Sequence, residues 1–502
     1  MSKYTQKEAN GLYELTDAAR AELVDSKYYN EDLAPTSLAQ RTWTTYNIAS
    51  LWIGMSVCLP SYTLASSLIA LGMSTWAAVI NVALGNLLVL IPMQLNSHAG
   101  TKYGIPYPVF ARLAFGPKGA HFPALARTII AAGWCGIQIW FGGGALHTIL
   151  VILIPAYADV PGGLWITFFV FWALNVYIGY RGSESIKWME SVGAPVLLLL
   201  CLALVIWATM AAADAGASIS DIINTAPNDE LMAQSGGFWP LFLSGLTANI
   251  AFWSTLALNI PDFSRYAKSQ RAQFRGQLYG LPTTMAAFAF IGAYVTTATG
   301  YIFGEPIFDP VIVIASIGSP AVSLFGAVAV MIATLTTNIA ANMVAPANGL
   351  SNISPKRISY KTGILITGLA AVGMMPWKLL ETAGAYIFGW LGTYGIMLGP
   401  LAGIYIADYY IVKKRNIDVM ALFSAEKGRY WYSGGFNSKA FIAWIAGAAL
   451  PVIGKLVPAA KTLADNGYII SFVVAMIVYI LIMKSETTSF VSDEEEEAMT
   501  QR

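Results

Sequence analysis

Long apolar runs of about 20 residues recur from Tyr46 to Lys484, and short polar loops separate them. A run of that length crosses a bilayer as a helix, whereas a membrane strand needs alternating apolar and polar positions. Because hydrocarbon offers backbone groups no hydrogen-bond partner, the continuous runs predict an all-α membrane protein of about twelve transmembrane helices. The approximate spans are 45–70, 74–96, 122–154, 163–180, 188–212, 237–260, 277–303, 320–345, 360–377, 384–412, 438–454 and 467–483.

The amino-acid composition agrees with a chain whose helices are surrounded by lipid. Apolar residues make up 56% of the sequence and charged residues 11%, while a soluble chain carries about 25% charged residues. Lys and Arg cluster in the N-terminal segment, residues 1–44, and in the even-numbered loops, which the positive-inside rule assigns to the cytoplasm. We therefore expect a multi-pass protein of the inner or plasma membrane with both termini cytoplasmic, ending in an acidic tail, residues 484–502.

Helix-breaking residues interrupt two of the spans. The first contains Gly54 and Pro60, and the sixth contains Gly245 and runs into Pro261. Gly and Pro are common in membrane helices, so either span alone is ambiguous. Their separation by five spans, however, is typical of two inverted halves whose first helices are broken around a midplane site. The halves would be residues 45–212 and 237–412, with two additional helices in residues 438–483.

An aromatic ring and an amide share one face of the third span. Trp134 and Gln138 are four residues apart, so they lie side by side on a helix. A flat ring beside a group that both donates and accepts hydrogen bonds suits a small planar amide-bearing ring. The alternative is that Trp134 packs between helices and Gln138 makes an interhelical hydrogen bond.

The eighth span carries a second polar face, with Asn338 and Asn342 four residues apart and the hydroxyls of Thr336 and Thr337 nearby. Hydroxyl oxygens are suitable ligands for a small cation, although Thr also bonds to its own helix. Spans one, three, six and eight carry no charged side chain near their centres, which favours a neutral solute. The chain also lacks a GxxxxGK[ST] loop and an HExxH motif, so neither ATP-driven pumping nor zinc proteolysis is indicated. We expect no enzymatic activity, no cofactor and no nucleic-acid partner.

At these positions the chain resembles the nucleobase:cation symporter family, and the resemblance covers nearly its whole length. Further segments in the same order strengthen it: Asn30-Glu31-Asp32-Leu33-Ala34-Pro35, Asn96 to Pro106, Asn259-Ile260-Pro261-Asp262-Phe263-Ser264-Arg265-Tyr266, and Gly399 to Ile404 with Ala407-Asp408-Tyr409.

The resemblance implies a five-plus-five inverted-repeat core with two additional helices that works by alternating access. It implies that a heterocyclic ring lies between Trp134 and Trp253, that Gln138 and Asn338 hydrogen-bond to it, and that Asn342 is close by. The coupling cation, Na⁺ or H⁺, would contact three backbone carbonyls and two side-chain hydroxyls. These are the carbonyls of Gly54, Val57 and Ala333 and the hydroxyls of Thr336 and Thr337.

The residue at position 58 bears on the choice of substrate. Hydantoin-type members have a glutamine beside the cation site where this chain has Cys58, and residues 58–64 look more like those of uracil and allantoin permeases. Uracil is therefore favoured, followed by allantoin or hydantoin. The competing function is a passive channel, but channels are commonly symmetric oligomers with a repeated pore motif. Here the polar residues converge from four helices of one chain, which we expect to be a monomer in the bilayer.

Overall fold

The computed structural model describes residues 5–7, 11–29, 31–181, 184–353, 357–424 and 428–486. The acidic tail beyond residue 486 and Asn30 of the family segment lie outside these residues. Before the first span come a small antiparallel pair and a short helix: β1 Thr5–Lys7, β2 Tyr13–Leu15 and α1 Asp17–Val24.

Helices follow one another through the first half. They are α2 Thr45–Ser56, α3 Leu59–Ala70, α4 Thr75–Tyr103, α5 Tyr107–Phe115, α6 His121–Leu153, α7 Gly163–Arg181, α8 Glu184–Asp214, α9 Ile219–Ile223 and α10 Asp229–Ala233. Short 3₁₀ turns occupy Glu31–Leu33, Leu38–Gln40 and Pro155–Asp159. The helix α4 runs to Tyr103 rather than to the expected edge at 96, because it continues through polar residues until Gly104 ends it in the left-handed conformation (φ 71°).

The second half is also helical, and π-helical turns interrupt it. Its α-helices are α11 Phe238–Phe252, α12 Ser254–Asn259, α13 Pro261–Ser264, α14 Gln270–Phe303, α15 Pro310–Ala315, α16 Pro320–Asn338, α17 Ala345–Ile353, α18 Tyr360–Gly373, α19 Pro376–Leu379, α20 Gly392–Ile406, α21 Ser438–Leu456, α22 Lys461–Asp465 and α23 Gly467–Ile482. The π-helices are Ile339–Val344, Ala385–Leu391 and Ala407–Val412, and 3₁₀ turns occupy Ala421–Phe423 and Pro458–Ala460.

Each of the twelve expected spans contains a helix. Among the described residues, eight helices are long and apolar enough to cross a membrane, or ten when each of two bent pairs counts as one span. The first pair, α2 and α3, bends by 58°, and the second, Pro458–Asp465 with Gly467–Ile482, bends by 79°. The two remaining positions hold the shorter helices α11 and α18. The structure is therefore consistent with twelve spans.

The spans pack into two groups. In the first packing group, α14 lies along α2, α3 and α4, and α11 packs on α4. In the second packing group, α6 contacts α7, α16 and α18. The C-terminal helices α21 and α23 pack against α20 and against each other. The first and second packing groups therefore face each other across an interface near the middle of their helices.

Close backbone contact holds the first packing group together. A Cβ on Gly280 of α14 would lie 2.7 Å from the carbonyl oxygen of Ala49 and 2.7 Å from Cβ of Trp52, both in α2. Gly276, one turn earlier, faces Ile48 in the same way. Since helices in lipid gain stability from close packing rather than from exclusion of water, small residues allow the contact that binds α2 to α14.

A buried ion pair joins the end of the tenth span to the last helix. Lys413 Nζ lies 2.5 Å from Asp408 Oδ1, and both side chains are 1% exposed. The hydroxyl of Tyr479 donates to the same carboxylate oxygen at 2.7 Å, and Lys413 also donates to the hydroxyl of Tyr432 at 3.1 Å. Burial makes each charge dependent on the other, because neither is solvated by water.

We predict that Asp408→Asn destabilises the protein by about 3–5 kcal/mol, since it leaves the Lys413 charge buried without its counter-charge. Thermal unfolding of the purified protein in detergent measures the loss. Lys378→Ala is the matched control, because the Lys378–Glu381 pair is more than half exposed (59% and 55%) and contributes about 0–1 kcal/mol. Equal, small effects of the two substitutions would contradict the assigned role of the buried pair.

Candidate functional site

A cavity of about 150 Å³ lies between the two packing groups. It is small beside the roughly 300–1,000 Å³ of typical ligand pockets, so it suits a small molecule. Four spans line it, the first, third, sixth and eighth. The lining residues are Met55, Cys58, Pro60, Arg127, Ala131, Trp134, Gln138, Phe252, Trp253, Thr255, Leu256, Phe263, Thr337, Ala341 and Asn342.

Aromatic rings set the position of Trp134 on the cavity wall. Its ring meets Phe252 edge to face at 5.0 Å and Trp390 at 5.8 Å. Gly133 allows the second contact, because any side chain there would overlap the ring of Trp390. Trp253, on the sixth span, packs edge to face on Trp52 at 5.4 Å. The two indoles that the sequence suggested as a sandwich therefore lie on the same cavity, each fixed by further rings.

Gln138 supplies an unused hydrogen-bond acceptor beside Trp134. Its side chain is 3% exposed, and its Oε1 is buried without a hydrogen-bond partner among the described residues. A buried polar atom left unpaired costs about 1–3 kcal/mol. The cavity wall therefore holds an acceptor that a ligand N–H would satisfy.

The eighth span places its two asparagines differently. Asn342 lines the cavity, whereas Asn338 is fully buried behind it. The Nδ2 of Asn338 donates to Asn175 Oδ1 at 3.0 Å, and its Oδ1 accepts from Asn342 Nδ2 at 3.2 Å. The Asn338 amide, for which the resemblance implies a hydrogen bond to the ring, is thus bonded to neighbouring amides in this structure. Asn342 lies within Ile339–Val344, a π-helix, which is a rare form that is frequent at functional sites.

The break in the first span frees backbone oxygens. Cys58 donates its N–H to Ser56 at 3.0 Å rather than to Gly54, and the first N–H groups of α3 turn to the carbonyl of Cys58. Among the described residues, no donor bonds to the carbonyl oxygens of Gly54 or Val57. The side chain of Cys58 lies at the bend, where its sulfur is 3.2 Å from the Ser61 hydroxyl.

The remaining cation ligands suggested by the sequence lie on α16. Thr337 lines the cavity, and the hydroxyl of Thr336 donates to the carbonyl of Ala333 at 3.0 Å. Thr336 thus makes the intrahelical bond that is common for Thr in membrane helices, while its oxygen keeps lone pairs for a cation. Hydroxyl and carbonyl oxygens together form the kind of donor set that small hard cations bind.

Arg127 marks one end of the cavity, two helical turns from Trp134 along α6. Its Nη2 donates to the amide oxygen of Asn259 at 3.0 Å once that amide is oriented to satisfy both of its groups, and its Nε is buried without a partner among the described residues. Arg127 lies on the side of α6 at which His121 begins the helix. The cavity therefore extends from the aromatic pair toward the end of the molecule that carries the loop between α4 and α6.

A second cavity, of about 240 Å³, lies beside the opposite end of α6, and Trp140, His147 and Asp309 are among its lining residues. Asp309 is 9% exposed and caps α15, because its Oδ1 accepts the N–H of Val311 at 2.8 Å. Burial raises the pKa of Asp309 to about 6, and the backbone hydrogen bonds of Val311 and Ile312 oppose the shift. The carboxyl therefore changes charge near neutral pH.

Asn175 of α7 is the polar residue that the sequence analysis missed. It is fully buried, and it contacts Asn338 rather than the cavity. The signal was present, since Asn175 is an amide in the middle of an otherwise apolar span, where a polar side chain usually has a partner. Nothing in the spacing, however, connects α7 with α16.

Comparison with known proteins gives the same family from sequence and from structure. A sequence model of the family described as "Permease for cytosine/purines, uracil, thiamine, allantoin" matches residues 35–471. The chain is 40% identical over 480 residues to a purine-uracil permease of Arabidopsis thaliana, covering 91% of this chain and 78% of the relative. It is 39% identical over 465 residues to an allantoin permease of Bacillus subtilis, covering 91% and 93%.

The fold matches that of the transporter Mhp1. Its inward-facing structure superposes with a TM-score of 0.77 at 24% identity, covering 92% of this chain and 94% of that one. A closed structure of the same protein, described as a nucleobase-cation-symport-1 family transporter with bromovinylhydantoin bound, gives 0.74 at 25% identity, covering 92% and 97%. The all-α transporter fold and the family resemblance predicted from the sequence are thereby confirmed.

We predict that Asp309 makes stability depend on pH. Its folded pKa lies above the ordinary value of 3.8, so the folded protein binds this proton more tightly than the unfolded chain does. The resulting stability is full below pH about 4 and is lost as the pH rises through about 6. Asp309→Asn, which keeps an acceptor for Val311, should match the unaltered protein at pH 4 and exceed it at pH 7.5 by about 3 kcal/mol or less. Thermal unfolding of both proteins across this range checks it, and parallel curves would contradict it.

Proposed function

The chain belongs to the family of permeases for cytosine/purines, uracil, thiamine and allantoin, and on that premise we propose that it imports a neutral planar nucleobase-like heterocycle coupled to a cation. Membership makes the protein a multi-pass membrane transporter rather than an enzyme, and it favours a carrier over a passive channel. Uracil is the first candidate substrate, followed by allantoin and hydantoin. Relatives named for purine and uracil, for allantoin and for hydantoin support this substrate class.

The convergence of Trp134, Gln138 and Trp253 on one small cavity is the observation that carries the proposal. Indole faces stack on a planar ring whatever its substituents, while an amide beside them reads the ring's edge. We propose that the ring lies between Trp134 and Trp253 and donates to Gln138 Oε1. Asn342 contacts its other edge, with Asn338 behind Asn342 as its support, and Cys58 lies beside the ring at the bend of the first span.

We further propose that the coupling cation binds at the bend between α2 and α3. Among the described residues no donor bonds to the carbonyls of Gly54 and Val57 there, and Ala333, Thr336 and Thr337 of α16 would complete the shell. Two hydroxyls in this set favour Na⁺, and H⁺ is the alternative. A cation that bridges α2 and α16 favours the arrangement in which the two packing groups enclose the ring. Binding linkage then requires substrate to raise the cation affinity by the same factor.

Orientation and assembly complete the proposal. The excess of Lys and Arg in the N-terminal segment and the even loops supports cytoplasmic termini, in the inner or plasma membrane. The cavity is built from four spans of one chain, so a monomer suffices for transport.

Transport by purified protein in liposomes tests the function directly. A panel of uracil, allantoin, hydantoin, cytosine and purines is offered against an inward Na⁺ gradient, an inward H⁺ gradient, or neither. Accumulation above the external concentration that an ionophore collapses is the expected result for one ring and one cation. Equilibration without accumulation, independent of either gradient, would establish the channel instead.

We predict that Trp134→Ala weakens substrate binding by up to about 100-fold, because a stacking surface worth about 1–3 kcal/mol is lost. Gln138→Ala should weaken it by about 10- to 100-fold through loss of the acceptor. Quenching of tryptophan fluorescence or radioligand binding measures both. Trp239→Ala, at a residue that is 67% exposed on the molecular surface, is the control and should bind normally. Normal binding by both cavity variants would refute the assignment.

We predict that replacing both Thr336 and Thr337 with Ala removes the cation dependence of substrate affinity while leaving weak, cation-independent binding. The two hydroxyls are the only side-chain ligands in the proposed shell, so their loss acts on the ion rather than on the ring. Titrations with Na⁺, and at several pH values without it, measure the dependence. Thr334→Ala is the matched control, because that hydroxyl bonds back to Val330 at 2.7 Å on the same helix. An unchanged cation dependence would show that the cation binds elsewhere in the protein.

A further inference from the structure

Three asparagine amides and one backbone carbonyl form a directed series of hydrogen bonds behind the cavity. Asn175 Nδ2 donates to the carbonyl of Phe171 at 2.8 Å. Asn338 Nδ2 donates to Asn175 Oδ1 at 3.0 Å, and Asn342 Nδ2 donates to Asn338 Oδ1 at 3.2 Å. Every bond in the series points the same way, from the cavity toward α7.

The backbone end of the series fixes its direction. A carbonyl oxygen can only accept, so the nitrogen of Asn175 must face Phe171 and its oxygen must face Asn338. Asn175 and Asn338 are both fully buried, so bulk solvent does not reach a reversed amide. Turning either amide around would bring two oxygens together and leave a buried group unpaired, at a cost of about 1–3 kcal/mol.

Asn342 is the member of the hydrogen-bonded series that lines the cavity. Because Asn338 holds its nitrogen, the amide oxygen of Asn342 remains as the acceptor on the cavity wall. Gln138 Oε1, on the facing span, is also a buried acceptor without a partner among the described residues. Two walls of the cavity therefore present oxygens to a bound ring.

We propose that Asn175, which does not touch the cavity, is a positioning residue that fixes Asn342 as an acceptor and so selects heterocycles presenting a ring N–H. The inference rests on the proposed function and names its substrate class more narrowly, as neutral lactams and cyclic imides. A ring that offers a bare nitrogen lone pair at that edge would face an oxygen and leave it unpaired. Sites built to hydrogen-bond one group discriminate strongly against analogues that lack it.

Substitutions at Asn175 separate this role from simple packing. Asn175→Leu keeps the branched shape and the number of side-chain heavy atoms, and it removes the acceptor. Among the described residues, the Asn338 nitrogen then keeps its longer contacts to Cys135, at 3.4 Å to the carbonyl oxygen and 3.5 Å to the sulfur. The amides of Asn338 and Asn342 are therefore held less firmly in one orientation. Asn175→Asp, protonated in its buried position, keeps a donor for Phe171 and an acceptor for Asn338. Asn175→Ala removes the same acceptor without filling the space, and it repeats the measurement if the leucine variant is not recovered folded.

The experiment measures a ratio of dissociation constants. Uracil, allantoin and hydantoin are each compared with their singly N-methylated derivatives, in which one ring N–H is blocked. In the unaltered protein, methylation at the most sensitive ring nitrogen should weaken binding by about 100-fold or more. In Asn175→Leu the same ratio should fall about 10-fold, because the parent ring loses a pre-oriented acceptor whereas the methylated ring has no hydrogen bond there to lose. Asn175→Asp should keep the original ratio. The added methyl bulk is the same in every protein, so the change in ratio reports the amide direction.

Two outcomes overturn the inference while leaving the proposed function intact. One is that the ratio in Asn175→Leu and Asn175→Ala stays within about twofold of the unaltered protein. The other is that Asn175→Asp behaves like Asn175→Leu, which would show that the side chain's shape matters rather than its acceptor. Failure of the unaltered protein to bind any of the parent rings would instead refute the proposed function, and the inference with it.

Discussion

The need to pair every backbone polar group inside hydrocarbon governs this structure. Each span satisfies it by forming a helix, and backbone that departs from the helix is tolerated where protein or a cavity, not lipid, adjoins the chain. The bend between α2 and α3 departs from the helix beside the cavity, and among the described residues no donor bonds to the carbonyls of Gly54 or Val57 there. An exposed carbonyl in lipid would be costly, whereas beside the cavity the proposed cation would complete the pairing.

The same constraint explains how a neutral site gains specificity. Trp134, Gln138 and Asn342 carry no charge, and Arg127, which also lines the cavity, lies at one end and donates to Asn259. Around the aromatic pair the cavity therefore does not select by net charge. It selects instead by which buried oxygens remain unpaired until a ligand arrives. That arrangement needs rigid support, which edge-to-face rings give to Trp134 and the neighbouring amides give to Asn342. Specificity thus depends on residues one layer behind the wall as much as on the wall itself.

Sequence reasoning predicted the helices, the bend near Gly54 and the cavity positions of Trp134 and Gln138, because each depends on local pattern or on spacing along one helix. It could not place Asn338 behind the wall or connect it to Asn175, since that contact depends on how α7 packs against α16. The π-helix at Ile339–Val344 was equally invisible, because no residue type marks it. The sequence thus predicted which residues share a face of one helix, but it did not predict contacts between different helices.

The glycine contacts between α14 and α2 have a mechanical consequence. Because the carbonyl of Ala49 lies against Gly280, the two helices cannot slide past each other without overlap. A displacement of α2 at its bend would therefore be passed to α14, which is 34 residues long. Under the proposed coupling, binding of a single ion at the bend would thus move a helix that is long enough to cross the membrane.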